Sequence, residues 1–202
     1  PLAQTHRDYW AERLRTLPQL ELPTDGPRRH TLSRPGARVE MRLDGAQAVA
    51  WLAAIPPGHR YATLVAATLV LLHLESGQSD LVLGLPIANR DRTELQDQVG
   101  LHLNMLPLRR QLHSEASLEQ LRGDCADSIV EAMEHADYPF ARLAEELGVS
   151  AAPGRHPVFD AMLIYHQHEV PVPKLEGVDV EIHDPQSYTS RFDLDIEVWT
   201  TE

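Results

Sequence analysis

Residues 61–86 constrain the fold of this 202-residue chain more than any other stretch. Apolar residues occupy nearly every side of a helical run at 61–75, which predicts a helix buried inside the protein. Ser76-Gly77 supplies the glycine that commonly ends a helix, and residues 81–86 then form a continuous apolar strand. A buried helix followed at once by a buried strand predicts an α/β protein whose helices cover a sheet.

Helical and strand patterns interleave irregularly along the rest of the chain. Helices are predicted at 5–16, at 46–55 after an Asp44 cap, at 117–135 and at 139–147. Ser117 and Gln120 form a predicted capping box, and a proline-rich linker is predicted at 17–35. Further strands are predicted at 37–43, 100–112, 158–167, 178–183 and 192–199. This order favours a two-layer α/β sandwich with one layer of helices on one face of a mixed sheet.

Composition excludes several classes of function. The net charge of -12 argues against nucleic acid and against anionic membrane surfaces. The single cysteine, Cys125, cannot form an internal disulfide and fits a reducing, cytoplasmic setting. The chain opens on polar residues that do not resemble a signal peptide. Of its eleven histidines, five have no Cys or acidic partner at ligand spacing, namely His30, His59, His73, His113 and His183, and no metal site is expected.

Two runs carry the residues of greatest functional interest. The first, at 99–109, is opened by Gly100 and holds Asn104 among apolar neighbours. An amide there must bind neighbouring backbone groups or meet a polar ligand. The second, at 135–140, is a turn that starts a helix, with Pro139 at an early helical position and Asp137 near the positive end of the helix dipole.

In this order, the two runs resemble the later motifs of the condensation domains of nonribosomal peptide synthetases. Those domains form amide bonds between carrier-bound aminoacyl groups. Residues 9–14 and 18–28 resemble the segment that links the two lobes of such a domain, and 80–90 resembles the strand and loop before the Gly-Asn motif. Residues 155–160 match the last common motif, with His156 where the family usually has Asn; His102 likewise replaces a commonly aromatic residue.

The family's catalytic motif, His-His-x-x-x-Asp-Gly, does not occur in this sequence. Because that motif belongs to the N-terminal lobe, the chain resembles the C-terminal, acceptor-side lobe, which has a chloramphenicol-acetyltransferase-like fold. Residues 1–35 then correspond to the inter-lobe helix and linker, and 36–202 to the lobe. The resemblance implies no catalytic residue in this chain and no activity of the chain alone. The implied partners are the N-terminal lobe and peptidyl carrier proteins, which deliver phosphopantetheine, so no cofactor is bound directly.

The resemblance also implies roles for individual residues. Asn104 is expected near the tunnel between the lobes, where it would orient the acceptor amine or polarise the thioester carbonyl. Arg90 and Gly100 are expected to bind substrate from the loop that forms part of the tunnel floor. Arginines of three basic clusters, 28–30, 90–92 and 109–110, are candidates for the phosphopantetheine phosphate, although solvated surface is the simpler interpretation.

The remaining motif residues are expected to be structural. They are Asp137, Tyr138, Pro139, Phe140, Arg155, Pro157 and Asp160. Whether Arg155 and Asp160 form one ion pair or join separate networks is open at this stage. Asn104 itself has a structural alternative, in which its amide satisfies neighbouring backbone groups.

Alternative functions remain. A noncatalytic lobe of the same superfamily that docks carriers or recruits a partner enzyme is the main one. An epimerisation domain fits less well, because 100–104 and 138–140 look more like the condensation branch. The lack of a Gly-x-Ser-x-Gly elbow argues against a serine hydrolase.

Self-association is also predicted. A lobe without its partner lobe exposes an apolar face, and the strand at 192–199 has an open edge, so a weak homodimer is expected.

Overall fold

The computed structural model describes residues 2–28, 30–31, 35–90, 93–148, 153–166, 172–173, 175–181, 183 and 189–200. Within these ranges lie six helices and four strands. The helices are α1 (Leu2–Arg13), α2 (Gly45–Ala54), α3 (Pro57–Ser76), α4 (Thr93–Gln96), α5 (Leu118–Glu134) and α6 (Phe140–Glu146). The strands are β1 (Asp80–Ile87), β2 (Asn104–Gln111), β3 (Ala161–His166) and β4 (Leu194–Trp199).

The four strands form one mixed sheet in the order β2-β1-β3-β4. Strands β1 and β2 are antiparallel, in a register that pairs Asp80 with Gln111 at one end and Ile87 with Asn104 at the other. Strand β3 lies parallel to both β1 and β4. The predicted mixed sheet is therefore confirmed, and its register places the start of β2 beside the end of β1.

The main core lies between the sheet and the helices. Alternate residues of β1, such as Leu83, are fully buried against α3, whose Leu69 and Leu72 are also fully buried. Capping helps α5 to begin where it does: the Ser117 side chain accepts a hydrogen bond from the Gln120 N–H, and the Gln120 side chain reaches back, which confirms the capping box.

A smaller cluster lies on the opposite face of the sheet, where Val82 packs with Val158 and Phe159. A Cβ added to Gly84 would lie 2.2 Å from a ring carbon of Phe159. Gly84 therefore allows the aromatic ring to lie directly on β1.

Helix α1 and the linker after it pack against the same core as the sheet. Trp10 and Leu14 are 1% exposed and Leu20 is 6% exposed. The Trp10 indole N–H donates to the carbonyl of His135 over 3.1 Å. Helix α1 and the linker up to Leu20 are thus in contact with the helices and sheet that follow them.

Two strand predictions were wrong. Residues 37–43 form no strand, and Val39 and Met41 are 93% and 86% exposed. The alternating pattern predicts a half-buried strand, but no strand among the described residues pairs with this segment. Over 178–183, of which residue 182 lies outside the described ranges, Val178 forms only an isolated bridge to Leu175.

Several predicted boundaries also moved. Residues 100–103 lie outside β2, which starts at Asn104, and the loop predicted at 89–98 contains the short helix α4. Strands β3 and β4 start later than predicted, at Ala161 and Leu194. Helix α6 begins at Phe140, so Pro139 is its N-cap and not its first helical residue. Asp44 occupies the N-cap position of α2 without a side-chain capping bond.

Candidate functional site

Asn104 ties the start of β2 to the turn between α5 and α6. Its side-chain Nδ2 donates to the carbonyl oxygens of Ala136, over 2.8 Å, and Tyr138, over 2.9 Å. Its Oδ1 accepts from the Phe140 N–H over 3.0 Å. Both amide hydrogens and one acceptor position are therefore bound to backbone of the same turn.

This arrangement solves a local capping problem. Helix α6 begins at Phe140 after a Pro139 N-cap, and proline has no side chain that could accept from the first free N–H groups. Asn104, which is remote in sequence, supplies the missing acceptor. The structure thus gives the amide of Asn104 the backbone partners that the structural alternative requires.

The other residues of the turn differ widely in burial. Asp137 and Pro139 are exposed, whereas Tyr138 is 5% exposed and Phe140 is half-buried. The Tyr138 hydroxyl donates to Glu146 Oε2 over 2.7 Å, and this bond, followed by burial, raises the pKa of Tyr138. The Phe140 ring packs against Phe159 of the smaller cluster, with ring centroids 5.5 Å apart.

Glu146 is a residue that sequence reasoning missed. Besides Tyr138, it binds Arg7 of α1 over 2.9 Å and Arg142 over 3.0 Å. The hydroxyl bond from Tyr138, and then the two arginines, hold the pKa of Glu146 below its usual range. The spacing of Arg142 and Glu146, four residues apart on one helix, was the available signal.

Arg90 and Gly100 come together at one loop. The Arg90 guanidinium donates to the carbonyls of Leu95, Gln98 (2.8 Å) and Gly100 (3.1 Å). The chain turns into this loop at Asn89, which has a left-handed φ of 51°. Arg90 therefore closes the loop onto its own backbone, and neither Arg90 nor Gly100 hydrogen-bonds Asn104.

Gly100 also makes room for His102. A Cβ on Gly100 would lie 3.3 Å from Nε2 of His102, and that nitrogen is buried without a hydrogen-bond partner. The neighbouring Val99 and Leu101 are 105% and 91% exposed. Residues 100–103 of the Gly-to-Asn motif are thus a loop before β2 and not the predicted strand.

Arg155 and Asp160 form one buried ion pair, which answers the question that the sequence left open. Their Nη1 and Oδ2 atoms are 3.0 Å apart, and their side chains are 5% and 6% exposed. Arg155 also binds Glu21 over 2.7 Å and donates to the Leu20 carbonyl. Burial raises the pKa of Asp160, and the Arg155 hydrogen bond opposes that rise. Arg155 therefore anchors the linker beside the start of β3, while Pro157 is half-buried nearby.

Comparison with known proteins identifies the family. A family model named "Condensation domain" matches residues 2–202. This chain belongs to the condensation domain family. It is 33% identical to gramicidin S synthase 2 of Brevibacillus brevis over 185 residues and 31% identical to tyrocidine synthase 2 of Brevibacillus parabrevis over 199 residues. These matches cover 90% and 96% of this chain but only 4% and 6% of the two relatives.

Solved structures show the same fold. A four-domain nonribosomal peptide synthetase bound to AMP and glycine superimposes with a TM-score of 0.85 at 15% identity, over 98% of this chain and 16% of that one. The X-domain from teicoplanin biosynthesis, solved in complex with OxyB, gives a TM-score of 0.74 at 25% identity, over 96% of this chain and 43% of that one. The predicted chloramphenicol-acetyltransferase-like α/β fold is thus confirmed.

In this condensation domain chain, the arginines proposed for phosphate binding are engaged by protein groups. Arg28 binds Asp193 through both terminal nitrogens, and Arg110 binds Asp124 over 2.8 Å. Arg109 binds Asp80 and also donates to the carbonyls of residues 13, 15 and 16. Residues 29, 91 and 92 lie outside the described ranges. These contacts, with those of Arg90 above, favour a structural role for the four described arginines of the three clusters.

His156 occupies an aromatic setting where other condensation domains usually have Asn. Its ring centroid lies 4.8 Å from that of Phe192, 5.0 Å from that of Phe159 and 6.0 Å from that of Phe140. Burial lowers the pKa of His156. The His156 ring therefore adds an aromatic side chain to the smaller cluster, and an Asn side chain has no ring with which to make these contacts.

Other features of the described residues bear on ligands. No group of three or more potential metal ligands occurs among them. None of the helices in those ranges is both long and apolar enough to cross a bilayer. A cavity of about 370 Å³ lies between the linker at 22–31 and residues 191–193. Arg28 lines it, whereas Asn104, Gly100 and Arg90 do not.

Proposed function

We propose that this chain is the C-terminal, acceptor-side lobe of a domain that forms amide bonds in nonribosomal peptide synthesis. Residues 1–35 serve as its inter-lobe helix and linker, and 36–202 as the lobe. The observation that carries the proposal is the family match over 2–202 in a sequence without His-His-x-x-x-Asp-Gly. The alignments with the X-domain chain and with the starter condensation domain of rhizomide synthetase cover 43% and 42% of those proteins, which leaves room for a second lobe.

In the proposed reaction, two peptidyl carrier proteins present their substrates as phosphopantetheine thioesters. The acceptor amine attacks the donor thioester carbonyl, so that a C–N bond forms, the C–S bond breaks and the amine proton leaves with the donor thiol. The N-terminal lobe supplies the catalytic histidine. This chain supplies part of the tunnel wall and the acceptor carrier's docking surface, and it binds no cofactor directly.

The contacts of Asn104 bear on its proposed role in this reaction. Because its amide already binds three backbone groups, direct polarisation of a substrate would use only the remaining lone pair on Oδ1. We therefore propose that these residues position the substrate mainly in an indirect way. Asn104 holds the backbone of the turn before α6, and Arg90 holds the backbone of the loop that includes Gly100.

Reconstitution in trans tests the proposed function. The purified chain should give no amide product from loaded donor and acceptor carriers. Adding the N-terminal lobe of the same domain should restore product, measured by mass spectrometry of the acceptor carrier. A partner lobe with its second motif histidine changed to alanine is the matched control. Turnover by this chain alone would contradict the half-domain assignment.

A noncatalytic docking lobe is the second candidate. It is favoured by the similarity to the X-domain whose solved complex contains OxyB. The sequence directly preceding this chain in its protein separates the two candidates, because an intact catalytic motif there supports the enzyme and a degenerate one supports docking.

Association and location complete the proposal. A weak homodimer is proposed to form through exposed apolar surface, to which Val39, Met41 and the free edge of β4 contribute among the described residues. Sedimentation at hundreds of micromolar in moderate salt tests it, and a strictly monomeric species would contradict it.

A cytoplasmic location is proposed because the only cysteine is a free, buried thiol.

A further inference from the structure

Two histidines meet where α1 packs against the end of α5. The Nδ1 atoms of His6 and His135 are 2.9 Å apart, and both side chains are partly buried. The His135 ring also stacks on Tyr9, with ring centroids 3.8 Å apart and ring planes 7° apart. The Trp10 indole donates to the His135 carbonyl, so α1 contacts His135 through three side chains.

A contact between two imidazole nitrogens has a strict proton requirement. One Nδ1 must carry a hydrogen and the other must offer its lone pair. The neutral pair satisfies this condition, and so does the pair with one positive charge, in which the imidazolium donates. When both rings are protonated, two N–H groups and two positive charges face each other, and the contact cannot persist.

Several charged groups lie on the elements that meet at the pair. Arg13 of α1 binds Glu131 of α5 over 2.6 Å, and Arg7 binds Glu146 of α6 over 2.9 Å. The remaining titratable or charged neighbours are Asp8 and Tyr9 on α1, Glu134 on α5 and Asp137 in the turn. Of the acids, Glu131 and Glu134 favour the protonated form of His135, but burial and the neighbouring His6 outweigh them and lower its pKa.

We propose that the His6–His135 pair is a proton-sensitive clasp that releases α1 from the end of α5 in mild acid. The direction follows from linkage. Because the pKa of His135 is lower in the folded chain than the ordinary value near 6.5, the docked form binds fewer protons than the released form as the pH falls. The singly charged pair keeps the contact, and the charge on His6 is one cause of the lowering, so the contact breaks when the second ring takes up its proton. Docking is therefore complete above the ordinary value and is lost as the pH falls through the lowered pKa of His135. This holds whatever reaction the chain takes part in.

Trp10 reports on the clasp directly because it is 1% exposed and bonded to His135. Trp51 and Trp199 should be replaced by phenylalanine, so that Trp10 is the only tryptophan in the chain. In this background, acrylamide quenching of Trp10 is measured between pH 7.5 and 5.0, together with hydrogen exchange of the α1 amides corrected for intrinsic rates. We expect Trp10 quenching to rise and α1 protection to fall, with a midpoint below about pH 6.5.

His6→Gln and His135→Gln are the test variants, because glutamine can donate or accept at the same place without titrating. Both should keep Trp10 protected over the whole range. His113→Gln, which changes a histidine on another part of the surface, is the matched control and should titrate like the parent. The proposal is overturned if the parent shows no transition, if either glutamine variant retains it, or if both variants release α1 at pH 7.5.

Discussion

Replacing Asn104 by alanine should destabilise this chain more than any change at an ordinary half-buried position. The substitution removes two donors and one acceptor at once and leaves the carbonyls of Ala136 and Tyr138 and the N–H of Phe140 without their partners. Asn104→Asp should be at least as harmful, since the carboxylate can accept from Phe140 but presents negative charge to two carbonyl oxygens.

The expected magnitude follows from these contacts. A net hydrogen bond contributes roughly 0.5–1.5 kcal/mol, so three of them amount to about 2–4 kcal/mol. Water reaches this half-buried site and can replace part of the loss, which keeps the value below the full cost of burying unpaired groups. For a domain of this size, the corresponding fall in Tm is roughly 5–15 °C.

Urea unfolding followed by tryptophan emission gives the free energy, and hydrogen exchange of the Phe140 amide reports on the turn itself. Gln111→Ala, at the exposed far end of the same strand, is the matched control and should lower Tm by no more than about 2 °C. If Asn104→Ala is as stable as this control, with the Phe140 amide still protected, the side chain does not hold the turn. A pure substrate-contact role would give that pattern, with activity lost in the reconstituted domain.

Three further substitutions test the packing and the charges. Gly84→Ala should cost about 1–3 kcal/mol in urea unfolding, because its Cβ would overlap the ring of Phe159. Arg155→Met should cost about 3–5 kcal/mol by leaving the Asp160 carboxylate buried and unpaired, and Arg155→Met with Asp160→Leu should recover much of that loss. Burial lowers the pKa of His156, so its contribution to stability is present above about pH 6.5 and is lost as the pH falls. His156→Asn should therefore flatten the dependence of Tm on pH between 7.5 and 5.

Each of these has a clear contrary result. An unchanged unfolding midpoint for Gly84→Ala would show that the aromatic ring moves aside at no cost. A double variant no more stable than Arg155→Met would show that the arginine acts through the linker and not through Asp160. A His156→Asn protein with the parent's pH profile would place the titrating group elsewhere.

The sequence indicated which residues to consider for a site but not what those residues bind. An ordered set of motifs made three groups of candidate residues recognisable in the sequence. They are Asn104, the turn at 137–140 and the Arg155–Asp160 motif. The sequence did not predict that Asn104 binds this turn. The two lie more than 30 residues apart and meet only through the packing of α5 and α6. Glu146 was missed for a similar reason, since its partners come from α1, from the turn before α6 and from α6 itself.

What the sequence determined by itself is local or periodic in origin. The buried helix α3, the apolar strand β1 and the capping box of α5 follow from hydrophobic spacing and from side chains within three or four positions of each other. The alternation at 37–43 is equally regular, yet no strand forms there. A strand exists only when a neighbour completes its hydrogen bonds, and that neighbour is specified by the tertiary structure. The same dependence on distant partners decided that Arg90 and Arg109 bind backbone carbonyls, that Asn104 caps a helix remote in sequence, and that His6 lies against His135.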